Sequence, residues 1–191
     1  AGSCQTHGWL GQAVPLVQFA SEDLGLNHSE SLVRAEVDII HPDTPTGMLG
    51  THGFSARQQD ARDNLRPSFS QLGDAMVRLW PSAEGVNTVS LRTLLQPPGY
   101  QISRTYLRVP KQVAHRITWE RLATWLEAFS DQYPLVTQVS KIPLGSRAYS
   151  ETSTAAVVLL NRHHLRVADI SRLMGGSSDH RLFQVLTQAY V

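Results

Sequence analysis

Apolar residues first recur at helical steps between residues 9 and 26, where Trp9, Leu10, Ala13, Val14, Val17, Ala20 and Leu24 can share one face. Pro15 sits early enough in that run for a first turn to tolerate it. The period then changes to two. Across Leu32 to Ile40, Val33, Ala35, Val37 and Ile39 point one way and Arg34, Glu36 and Asp38 the other, which predicts a strand with one wet face. His41 to Phe54 is rich in proline and glycine and reads as a long loop. A helical run from Ser55 breaks at Pro67, resumes over Phe69, Leu72, Ala75, Met76, Leu79 and Trp80, and stops at Pro81.

Farther on, Val86 to Leu95 and Tyr100 to Val109 are rich in β-branched and aromatic residues and flank Gln96-Pro97-Pro98-Gly99, which predicts a hairpin. Thr118 is placed to cap an amphipathic helix in which Trp119, Leu122, Leu126, Phe129 and Tyr133 fall at three- and four-residue steps. Trp125 lies beside them, and Trp119, Trp125 and Phe129 are expected in the core. Pro134 ends that helix, and a strand is expected over Leu135 to Ile142 before a turn at Pro143 to Ser146. The apolar run Ala155 to Leu160 suits a buried strand and a buried helix equally.

The last forty residues carry the most suggestive pattern. Val167 to Ser177 has helix-turn-helix spacing, with Ile170 apolar, Ser171 small where two helices would touch, and Gly175 at the turn. Leu182, Phe183, Val185, Leu186 and Ala189 then recur at roughly 3.6-residue steps, as a third helix would. The expected fold is therefore α+β. An antiparallel sheet of about four to five strands packs with amphipathic helices over residues 1–150, and a helix-turn-helix-like element covers residues 151–191, either apart or within the same core.

Charge adds a direction to that picture. Residues 1–99 carry six arginines against ten Asp and Glu, net −4, whereas residues 100–191 carry eleven Lys and Arg against six Asp and Glu, net +5. The C-terminal half is the side that would meet a polyanion. On this reading the protein binds nucleic acid without catalysis: Ser177, Ser178, His180 and Arg181 face bases or phosphates, while Arg162 and Arg166, with His163 and His164, flank the backbone.

Other chemistry is thinly represented. His41, Asp43 and His52 offer two imidazoles and a carboxylate to a divalent metal, but mobile loop histidines are the commoner explanation of such a set and no metal is expected. His115, His163 and His164 are candidate bases with no nucleophile assigned. Gly-x-Ser-x-Gly, phosphate-cradling glycine and His-Glu-x-x-His motifs are absent, so the expectation is a protein that is not an enzyme and needs no cofactor. Cys4 is the only cysteine, which rules out an intrachain disulfide and points to the cytoplasm. Alternatively, Ala1-Gly2-Ser3-Cys4 is the remnant of a lipoprotein processing site and the protein is periplasmic, anchored through Cys4. No apolar run is long enough to span a bilayer.

If the run from Ser153 to Asn161 is a strand, the order from Val86 onward becomes strand, strand, helix, strand, strand. That order resembles a split ferredoxin-like sandwich. In its spacing it is also similar to the small periplasmic assembly modules of type II secretion and type IV pilus machines. The resemblance implies a protein–protein module of a bacterial secretion, pilus or conjugation machine; a homo-oligomer is compatible with either reading. The state of Ala155 to Leu160 separates the two readings.

Overall fold

A computed structural model describes residues 4–42, 66–67, 70–93, 99–143, 148, 154–170 and 179–189. Its elements are α1 (Cys4–Gln18), a π-helical turn (Phe19–Asp23), β1 (Leu32–Pro42), β2 (Arg66–Pro67), α2 (Leu72–Leu79), β3 (Gly85–Thr93) and β4 (Gly99–Val109). There follow α3 (Lys111–Ala114), α4 (Trp119–Gln132), β5 (Thr137–Ser140), β6 (Ala156–Leu159), β7 (Leu165–Asp169) and β8 (Asp179–Ala189). The α+β class is as expected.

Among the described residues, the strands join in one eight-stranded sheet ordered β2-β3-β1-β4-β8-β6-β5, with β7 also paired to β8. It is mixed rather than antiparallel, because β1 runs parallel to β3 and β5 parallel to β6. Parallel pairs need a crossover. Between β1 and β3 the crossover includes α2, and between β5 and β6 it is the segment 141–155.

The predicted hairpin is corrected by this order. Both of its arms are strands, but β1 lies between them, pairing antiparallel with β4 from Leu32 opposite Leu107 to Ile40 opposite Tyr100. Periodicity within two strands cannot report a third strand inserted from earlier in the chain. Likewise, β3, β4, β5 and β6 are not contiguous, since β1 and β8 stand among them.

The C-terminal helix-turn-helix expectation is corrected too. Ala156–Leu159, Leu165–Asp169 and Asp179–Ala189 are strands. β8 pairs with β4 along its whole length, from Gly99 opposite Ala189 to Val109 opposite Asp179. Its other edge meets β7 and then β6, which lie end to end along it. Backbone pairing on both edges decides the state of such a segment, whatever its side-chain period.

The helices cover one face of the sheet. Trp9, Leu16, Phe19, Leu72, Met76, Leu122 and Leu126 are buried against Ala35, Val37, Ile39, Leu107 and Val158. Thr118 caps α4 as its sequence predicts, its side chain accepting the Arg121 amide at 3.2 Å. Phe129 is buried as expected, and Trp119 and Trp125 pack at the margin of the core. Trp119 and Trp125 are only half-buried, because each turns its indole N–H to a backbone carbonyl, of Leu165 at 3.1 Å and of Pro15 at 3.0 Å.

α1 begins earlier than the apolar pattern suggests, because the face it buries in its first turns is polar. Gln5, Thr6 and Gln12 are buried. Gln5 donates to the Ser90 hydroxyl at 3.0 Å, Gln101 donates to the Gln5 carbonyl at 2.9 Å, and the Ser103 hydroxyl donates to Gln12. Pro15, placed in the helix interior, has no N–H for the carbonyl of Gly11. The Thr137 hydroxyl donates to that carbonyl instead, at 2.7 Å, tying α1 to β5.

Candidate interaction surface

Among the described residues, no element covers the face of the sheet opposite the helices over β3, β1 and β4. Strand alternation places Arg34, Glu36, Asp38 and Ile40 of β1 on it, with Tyr100, Ile102, Arg104 and Tyr106 of β4 and Asn87, Val89 and Leu91 of β3. The register sorts these side chains by polarity. Ile40 lies between Leu91 and Tyr100, and Asp38 between Val89 and Ile102. Glu36 lies between Asn87 and Arg104, and Arg34 between Gly85 and Tyr106. One end of the face is therefore apolar and the other charged.

At the apolar end, Asp38, Ile40, Val89, Leu91, Tyr100 and Ile102 line a depression of about 400 Å³. Ile40 is 41% and Val89 56% exposed, and apolar side chains gathered on one surface mark an interaction site where singly scattered ones do not. At the charged end, cations and carboxylates satisfy one another. Arg104 donates to Asp38 at 2.8 Å, Tyr106 donates to Glu36 at 3.2 Å, and Arg34 lies 3.1 Å from Glu36. The Asp38 hydrogen bond raises the Arg104 pKa above its ordinary value, so that guanidinium is a permanent cation. Partial burial, followed by the Glu36 charge, raises the pKa of the Tyr106 phenol.

Of the residues singled out by sequence for nucleic-acid binding, Arg162 and Arg166 have described side chains. Arg162, in the turn between β6 and β7, pairs with Glu120 and lies 4.7 Å above the Trp119 ring centroid. Arg166 is exposed on β7. The backbone of His180 and Arg181 lies in β8, opposite Arg108 and Leu107, and not on a recognition helix. Ser177 and Ser178 lie outside the described residues. Of the metal candidates, His41 lies in β1, while Asp43 and His52 lie outside the described residues. His115 is exposed after α3. His163 and His164 sit in the β6–β7 turn, where the Asn161 side chain accepts both of their amides at 3.1 and 3.2 Å.

Among the described residues, no helix is long and apolar enough to cross a membrane. No protein-family model matches the sequence, and no curated protein matches it significantly.

The open face was only half legible in the sequence. The wet side of β1 is plain from its alternation, but its apolar end exists only because β3 and β4, on either side, add Val89, Leu91, Tyr100 and Ile102.

Proposed function

We propose that this protein is a non-enzymatic assembly module that binds another protein through the face of its sheet opposite the described helices. The observation that carries the reading is the apolar patch of exposed Ile40 and Val89 with half-buried Leu91, Tyr100 and Ile102, set against the ladder of Arg34, Glu36, Arg104 and Asp38. An apolar centre with a polar margin is the usual anatomy of a protein–protein contact. The charges also favour a protein over a polyanion. Arg34 and Arg104 are each engaged by a carboxylate, so a phosphate chain would gain little at this face and would have to compete with Glu36 and Asp38. Strand state in β6, β7 and β8 supports an assembly module over a recognition helix, while the strand order is not that of a ferredoxin-like sandwich.

Site-specific photo-crosslinking in the native host tests this reading. A photoreactive residue at position 40 or 89 is expected to give one discrete protein adduct, lost on Val89→Lys, whereas position 112 on α3 gives none. Adducts made only with a second copy of the chain would replace the foreign partner with self-association. Absence of any adduct at 40 and 89, together with nucleic-acid binding that Arg166→Ala weakens, would overturn the proposal in favour of a polyanion.

A further inference from the structure

We infer that the groove between the π-helical turn and α4 is a binding site for a small organic ammonium ion. The groove has a volume of about 200 Å³ and is lined by Gln18, Glu22, Trp125, Phe129, Gln132 and Tyr133. That is smaller than the usual range for drug-sized ligands, and it suits a methylated ammonium headgroup.

Three aromatic residues spaced four apart lie along one side of α4 and form one wall. They are held in place before any ligand arrives. The Trp125 indole N–H is engaged by the Pro15 carbonyl at 3.0 Å, and its ring meets Phe19 edge-on, with centroids 5.9 Å apart. Phe129 is buried, and Tyr133 leans on it at 4.9 Å while remaining 41% exposed. Trp125 and Tyr133 are thus fixed yet reachable, the property that distinguishes a receptor wall from a core stripe. Aromatic faces attract cations, tryptophan most strongly.

The opposite wall supplies the charge. The chain widens there into a π-helical turn, a rare conformation that is frequent at functional sites. The turn sets Glu22 on the groove. The two arginines bonded to the neighbouring Asp23 are spent there: Arg121 is bonded to its carboxylate at 2.7 Å, and Arg116 donates to its carbonyl. Among the described residues no cation pairs with Glu22, so the groove presents aromatic faces and an uncompensated carboxylate together. A quaternary or methylated ammonium satisfies both without needing a hydrogen-bond acceptor.

Titration of the full chain with choline, read by calorimetry and tryptophan fluorescence at constant ionic strength, tests the site. Saturable binding is expected, with no binding of 3,3-dimethyl-1-butanol, the neutral isostere. Glu22→Gln and Tyr133→Ala are each expected to weaken choline binding by about five-fold. Circular dichroism melting of both variants separates loss of the site from loss of the fold. Trp125→Phe is expected to abolish the fluorescence change. Equal binding of the neutral isostere, undiminished binding by folded Glu22→Gln, or no saturation with choline would each overturn the inference. None of these outcomes bears on the open face of the sheet.

Discussion

Replacing Gly11 by alanine isolates the contact that seats α1 on the sheet. A methyl group built on Gly11 would lie 2.5 Å from the Cβ of Ala156 and 3.0 Å from the Val136 carbonyl oxygen. Carbon atoms in contact prefer about 3.5–4.0 Å, so helix and strand would have to part by roughly 1 Å. Neither neighbour can rotate aside, because one is a Cβ fixed to the backbone and the other is a backbone carbonyl. Overpacking costs about 1–3 kcal/mol, and this geometry belongs at the upper end. Against it stands the helix preference for alanine over glycine, about 1 kcal/mol. The net expectation for Gly11→Ala is a loss of about 1–2 kcal/mol, read as a fall in Tm of roughly 2–8 °C for a chain of this size. Urea denaturation of Gly11→Ala, Ala156→Gly and the double variant measures it. The double variant should be more stable than the sum of the single effects implies, by about 1–2 kcal/mol. A Gly11→Ala protein that melts above the parent, or strictly additive effects, would refute the packing of α1 against β6.

Thr137→Val keeps the side-chain shape but strands the buried Gly11 carbonyl, which Pro15 cannot serve, and should cost about 1–3 kcal/mol in the same denaturation assay. Tyr106 should ionise above the ordinary tyrosine range in an ultraviolet absorbance titration, and Glu36→Gln should bring the transition down. Because the folded-state pKa is raised, the stability linked to this phenol is complete below the unfolded pKa. It declines as pH rises from there through the folded value. Val89→Lys alters a side chain that is 56% exposed, so its Tm should match the parent while its crosslinking is lost; a large fall in Tm would show that the face is covered.

Local signals survive wherever a segment meets its surroundings along one face. β1 alternates because its outer side chains remain in water, and its expected span of Leu32 to Ile40 differs from the observed strand by two residues. α4 starts behind Thr118 because a side-chain oxygen there satisfies an amide the helix cannot. α1 is less legible. Gln5 and Gln12 look like solvent residues until Ser90, Gln101 and Ser103 arrive from strands about ninety positions away.

The chain's own order of residues therefore determines the α+β class, the wet and dry sides of β1, and the position and cap of α4, all of which follow from contacts within a few residues. Tertiary structure alone decides that β1 divides β3 from β4, that Asp179–Ala189 extends as a strand, and that scattered apolar residues merge into one exposed patch. A strand completes its hydrogen bonds only with distant partners, whereas a helix completes them within itself, so a short apolar segment takes its conformation from whichever edge is available to pair with it.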